Sequence, residues 1–474
     1  MLLNKNILAI GIVFLFVCSA FIPLSLGINT RIADTTEQPS TFSRGKTLYV
    51  GGTGEGNYTK IQDAIDNASD GDTVYVYDDS SPYYELVVID KSINLIGEDR
   101  DTTIIDGSEG DIINIYADRV DISGFTIQNS GYNWDDAGIE IMHSSYNSIT
   151  GNIISNNYHG IILYTNSNTI SDNIITSNFD GGLILLGSKN NIISINTFSD
   201  NVDGVILDGG SDYNNILDNV FFNDGVRISF AHQNTFSNNL INGKPIVYLE
   251  GESDVVIDDE DAGQVILVSC NSITVQDQNL SNTSVGLTLI DTDNCLISDN
   301  IITNNTRGIC TKGSCNNSIE DNTFFNNKEW TIILDEDSNY DTVSGNTIDH
   351  PLGTYPLNGI SVYEVTGNNI LGNTIKNCYS GISLGDSDYN IILNNEISSN
   401  DRDGIAISDG SNNKIIGNNI SYNLYWGIEV REGSNDNVIY HNNLVYNKRN
   451  AIDEGDNIWD DGKYGNYWSD YQER

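Results

Sequence analysis

The sequence predicts an all-β fold, a right-handed parallel β-helix solenoid with a short N-terminal capping helix and an aromatic-rich C-terminal cap. Three observations carry this. Gly followed by alternating apolar residues recurs as Gly138-Ile-Glu-Ile, Gly160-Ile-Ile-Leu, Gly182-Leu-Ile-Leu and Gly204-Val-Ile-Leu, 22 residues apart each time. A second motif, Asn-x-(Ile/Val/Phe)-x-x-Asn-x-(Ile/Phe/Leu), keeps that register and places its second Asn at 152, 173, 196, 219, 239, 300, 322, 346, 373, 395, 418 and 442. Composition agrees, since 44 Gly, 6 Pro and 2 Met in 474 residues make a turn-rich β chain.

Taken in order, residues 1–27 read as a secretory signal peptide: Lys5, an apolar run from Ile7 to Ile22, and a small-residue exit at Ser25-Leu26-Gly27. The run is also long enough to serve as an uncleaved anchor. Residues 28–45 form an N-terminal extension and 46–474 the β-helix. Over 58–68 the pattern turns helical, with Ile61, Ala64, Ile65 and Ala68 on one face and Asn57 as N-cap, a plug for the first coil. Residues 72–130 make less regular coils, and 243–285 make divergent coils with an acidic loop at Asp258-Asp-Glu-Asp261. A segment from His350 to Pro356 lengthens one coil. At 455–474 the rings of Trp459, Tyr464, Tyr467, Trp468 and Tyr471 crowd together and blunt the last edge.

Period-2 alternation over so few residues means strands that are stable only when stacked, coil upon coil about 4.8 Å apart. Ile161, Leu183 and Val205 are then vertical neighbours in one inward column. The repeated Asn is expected at the corners, in left-handed backbone, with its amide satisfying groups that burial would otherwise orphan.

A net charge of −44 excludes nucleic-acid binding and makes anionic polysaccharide a poor ligand unless cations bridge the two. Beyond the leader no segment is apolar enough to span a membrane. The remaining cysteines, Cys270, Cys295, Cys310, Cys315 and Cys378, are odd in number and irregular in spacing, so they make no disulfide framework. Asn-x-Ser/Thr sequons at Asn57, Asn67, Asn279, Asn282, Asn304, Asn316 and Asn419 fit an exported glycoprotein.

Aligning the coils on their glycines places Asp136, His159, Asp180, Asp203 and Asp224 along one edge of five consecutive coils. Carboxylates on neighbouring or alternate coils, about 5 or 10 Å apart, bracket the separations that glycosidases use. The candidate catalytic set is therefore Asp180, Asp203, Asp224 and His159, with Arg227 placed to hold a sugar carboxylate. Tyr132, Trp134, Asp136, Tyr158 and Tyr164 are the candidate sugar-binding residues. Ordinary turn chemistry also accounts for Asp before Gly. Outward-facing Ile162, Ile184 and Ile206 make an apolar stripe, covered by residues 28–45 or used to dock a protein partner. Asp258, Asp259 and Asp261 are the candidate Ca²⁺ ligands.

Several segments carry a family signature: the two repeats, Ile61-Gln-Asp-Ala-Ile65, Ile93-Asn-Leu-Ile-Gly97, Ile104-Ile-Asp-Gly107 and the ending Gly465-Asn-Tyr-Trp-Ser-Asp-Tyr471. Over residues 46–471 the chain resembles NosD-type β-helix proteins of the pectin-lyase-like superfamily. The resemblance implies a right-handed helix, an exported location, and either carbohydrate recognition or a copper-linked periplasmic role. Family members often continue in an Asp/Gly-rich tail, whereas this sequence stops at Gln472-Glu-Arg474. The copper role fits poorly with one Met, Met142, after the leader and five scattered His. The sequence thus points to a secreted or cell-surface protein that binds polysaccharide, leaving open whether it also cleaves or modifies it. The alternatives are a non-enzymatic surface scaffold or adhesion protein and a copper-site accessory protein.

Overall fold

The computed structural model describes residues 45–258, 261–351 and 358–470. The signal peptide, nearly all of the extension, Asp259 and Tyr471 lie outside them. The described chain is a parallel β-solenoid laid down as two successive stacks of coils. The first runs from Thr47–Val50 to Leu240–Ile241 and the second from Lys244–Glu250 to Tyr467–Trp468.

Each coil contributes short strands whose alternate residues face inward. Ile161 pairs with Leu183 and Leu183 with Val205, and all three are fully buried in the first core. The predicted column is therefore present. A second, separate core fills the later stack.

Asparagine ladders tie the coils together. The Asn196 N–H donates to Asn219 Oδ1 at 2.9 Å and its Nδ2 to the Ile170 carbonyl at 2.8 Å. Asn418 repeats both bonds in the second stack, to Asn442 Oδ1 at 2.9 Å and to Ile392 at 2.9 Å. These amides replace water for backbone groups inside the wall. One detail differs from expectation: the left-handed residue is the one before the ladder Asn. Asp172, Ile195, Asp218, Asp299 and Asn394 have φ of 54–58°. That corner turns the chain so that the following Asn points into the wall.

The plug helix, α1, spans Ile61–Asp66 and is shorter than the sequence suggests. Its cap comes from far along the chain, since the Glu85 carboxylate accepts the N–H groups of Ile61 at 2.9 Å and Gln62 at 3.1 Å. Asn57, the expected cap, donates instead to the Gly51 carbonyl at 2.6 Å. Ile61, Ala64 and Ile65 join the first core as a plug should.

Between the stacks, Leu240–Ile241 turns back antiparallel into Lys244–Glu250, which opens a new wall. Ile266, Val268 and Ile290, on the outside of that wall, belong to the core of the first stack, and Tyr248 stacks on Phe236 at 4.5 Å. The side of the second stack thus covers the open end of the first. Trp459 and Trp468, 5.7 Å apart, pack on the far end of the second core.

Candidate functional site

The site lies on the outer face of the seven-stranded sheet of the first stack, which runs from Val87–Ile89 to Val226–Ile228. In its later strands the outward row reads Glu140, Ile162, Ile184, Ile206, Arg227. The three isoleucines form an apolar cluster with Ala137, distinct from the core beneath. They floor a cleft of about 240 Å³, walled by Trp134, Asp135, Tyr158, His159, Tyr164 and Asp180 and ending at Asp208 and Arg227. A second cavity of about 250 Å³ shares Asp208 and Arg227 and adds Arg307, Lys312, Trp330 and Asp335 from the second stack. The two form one groove that bends where the stacks meet.

The structure separates the sequence-predicted residues into two groups. Asp180 is half-exposed at the cleft, 3.9 Å from His159 Nδ1. His159 is engaged through both ring nitrogens: Gly181 N–H donates to Nδ1 at 3.2 Å, and Nε2 lies 2.9 Å from the Trp134 carbonyl. Because Nδ1 accepts, Nε2 carries the proton, and burial holds the imidazole below its ordinary pKa, in the neutral form. Its ring packs edge-on to Tyr158 at 4.7 Å. Trp134, 76% exposed, and Tyr164 flank the opening. Tyr132 is exposed but is not among the cleft walls. Asp136 is buried, accepting the Asn133 backbone N–H at 2.7 Å, and so fixes the turn that presents Trp134.

Asp203 and Asp224 are walled off from the cleft. Asp203 is fully buried, 2.7 Å from Arg227 Nε and 3.1 Å from Arg307 Nη1. Burial alone would raise its carboxyl, yet the two guanidinium groups hold it below the usual carboxylate range. It aims Arg227 at the bend and ties the stacks together. Asp224 takes the last place in an asparagine ladder, accepting the Asn201 N–H at 2.9 Å and its Nδ2 at 2.6 Å. Burial pushes its carboxyl up to about 7. Asp258 and Asp261 are exposed, and Asp261 pairs with Lys244 at 2.6 Å. Among the described residues no three His, Cys, Asp or Glu side chains come together as a metal site.

Sequence reasoning missed a carboxyl pair beside the floor of the cleft. Asp111 lies beside Glu140, which pairs with Ile162 in the outward row. Burial, then the neighbouring Asp111, pushes Glu140 up to about 7, and the two share a hydrogen bond. One Asp111 oxygen also accepts the Ala137 N–H at 2.8 Å. The Tyr164 phenol is raised by burial and by Glu140, Asp111 and Asp135. Repulsion between two close carboxylates favours a state in which the pair shares one proton.

A family model described as "Periplasmic copper-binding protein (NosD)" matches residues 65–256, 246–357 and 353–473. No curated protein matches the chain. Among solved structures, the A-module of mannuronan C-5 epimerase AlgE6 from Azotobacter vinelandii is 14% identical, covering 87% of this chain and 95% of that one, with a TM-score of 0.31. A family 28 exopolygalacturonase from Yersinia enterocolitica is 12% identical over 87% of this chain and 79% of that one, with a TM-score of 0.35. The catalytic unit of a GH87 α-1,3-glucanase from Streptomyces thermodiastaticus is 13% identical over 92% and 71%, with a TM-score of 0.31.

Proposed function

The chain belongs to the NosD family, and from its groove we propose that it is an exported protein that binds polysaccharide and acts on it beside Asp111 and Glu140. The observation that carries this reading is an apolar-floored cleft flanked by aromatic rings and carboxylates, with Glu140 next to Ile162 in the same outward row. Sugars present apolar ring faces and hydroxyl rims, which suit Ile162, Ile184, Trp134 and Tyr164 on one hand and Asp135 and Asp180 on the other. Arg227 supplies a donor at the bend.

A carboxyl that keeps its proton near neutral pH is matched to general-acid work. In hydrolysis, Glu140 gives that proton to the leaving glycosidic oxygen as the bond to the anomeric carbon breaks. Water adds to that carbon and yields its own proton to a second carboxylate, Asp135 or Asp180.

The copper chemistry in the family's description does not fit the described residues. The Cys270 and Cys295 thiols are buried, are raised by that burial and donate to backbone carbonyls at 3.3–3.4 Å. Among the described residues no imidazole joins them in a group of three.

The test is a glycan-array screen followed by reducing-end and unsaturated-uronate assays on each glycan retained. Glu140→Gln is expected to lower turnover by about 10²-fold or more with binding kept, and Trp134→Ala to weaken binding. Retention without any product leaves the scaffold reading in place of the enzymatic one. If no glycan is retained, the polysaccharide reading falls.

A further inference from the structure

Far from the cleft, one edge of the second stack alternates rings and cations. The residues just before the glycine position read Tyr379-Ser380, Arg402-Asp403, Tyr425-Trp426 and Lys448-Arg449 on four successive coils. Backbone bonds set them in register: Arg402 N–H to the Tyr379 carbonyl at 2.7 Å, Tyr425 to Arg402 at 2.8 Å, and Arg449 to Tyr425 at 3.0 Å. The Arg402 guanidinium lies 5.8 Å from the Tyr379 ring and 5.9 Å from Tyr425, and Arg449 lies 5.3 Å from Tyr425 and 4.9 Å from Trp426.

Arg402 is partly neutralised by Asp403 at 3.2 Å and Glu429 at 3.6 Å. Arg449 is exposed and rests on rings, with no ion pair to a carboxylate among the described residues. In a chain with 22 basic and 66 acidic residues, Arg449 is thus a surface cation whose partners are ring faces.

We propose that this strip binds a carboxylate-bearing glycan, a uronate polysaccharide, one sugar per coil. The coil advance of about 4.8 Å is close to one sugar residue of an extended chain. Ring faces at Tyr379 and Tyr425 take the apolar faces of sugars two coils apart, the guanidinium fork of Arg402 takes the carboxylate between them, and that of Arg449 takes the carboxylate on the next coil. The strip supplies the cations that the rest of the surface lacks. It lies on the same edge as Arg307 and Trp330 of the junction cavity, six coils or about 29 Å from Arg307 to Arg449. The nature of the occupant rests on the polysaccharide reading above, but the strip is a separate site and is tested separately.

The experiment is calorimetric titration of the full chain with hexamers of galacturonate, mannuronate and glucuronate, and with their carboxyl-reduced counterparts. At least one uronate is expected to bind, with the reduced form about tenfold weaker or more. Arg449→Ala and Tyr425→Leu are each expected to lower that affinity about tenfold with the thermal midpoint unmoved, and Arg449→Lys to recover part of it. Trp134→Ala, which removes a wall of the distant cleft, leaves the strip's affinity unchanged. The proposal is overturned if no uronate binds, if reduced hexamers bind as well, if Arg449→Ala changes nothing, or if Trp134→Ala abolishes the binding.

Discussion

In the later strands of the first stack's groove sheet the outward row is Glu140, Ile162, Ile184, Ile206 and Arg227. The corresponding row of the second stack, from Thr288 through Cys310, Ile333, Ser361, Ser383 and Ala406 to Glu429, is mostly small or polar. Both walls stand on inward columns and asparagine ladders of the same kind. Once the inward residues hold the fold, the outward row is free to differ, so a stack of large apolar side chains there points to use rather than architecture. The start of the second wall makes the same point from the other direction: its outward Ile266, Val268 and Ile290 are buried because they close the first stack.

The largest way to break the comparison is at the junction. Arg307→Ala leaves Asp203 buried with Arg227 as its remaining cation, and the expected loss is about 3–5 kcal/mol in urea unfolding. Two separate transitions in the variant mean that the ion pair couples the stacks. A loss under about 1 kcal/mol means that the apolar closure at Ile266 and Ile290 carries the coupling instead. The folded Asp203 carboxyl lies below its unfolded value. Its stabilisation is therefore complete above the ordinary carboxylate pKa of about 3.9 and is lost as pH falls through the lower folded value.

A smaller effect tests whether the two stacks are equivalent inside. Asn196→Ala and Asn418→Ala each remove a buried ladder amide, and each is expected to cost about 1–3 kcal/mol. Unequal costs, read from denaturant midpoints, would show that one stack relaxes around a missing rung and the other does not.

The smallest effect lies where the ladder departs from Asn. Asp224→Asn restores the usual side chain, whose amide would reach the Phe198 carbonyl by the register of the rungs below it. Here the folded pKa of about 7 is raised above the unfolded value, so the wild-type chain loses stability as pH rises from about 4 to 7. The variant should be stabilised relative to the wild type at pH 8 and little changed at pH 4. A thermal midpoint that follows pH identically in both proteins would remove Asp224 as the cause.

The cleft was largely legible, because Trp134, Tyr158, His159, Tyr164 and Asp180 occupy one edge once the coils are aligned on their glycines. Two of the aligned carboxylates, Asp203 and Asp224, turned inward to other work. Alignment places a residue in a row but does not say whether its neighbour is water, an arginine or a ladder amide. The Asp111–Glu140 pair was hidden for a related reason. Asp111 belongs to the irregular early coils, where the offset to its partner strand is 26 residues rather than 22, as in Ile113 against Ile139.

By itself the sequence determined the coil period, the inward columns, the asparagine ladders and the edge on which the cleft sits. These are relations between residues one coil apart, and a period of 2 within strands and about 22 between them writes such relations into every repeat. The tertiary structure alone decided that the solenoid breaks after Ile241, turns the flank of a second stack onto the end of the first, and brings Arg307 to Asp203 across 104 residues. Contacts across a break depend on the direction a single hairpin takes, and a feature that occurs once leaves no periodic trace.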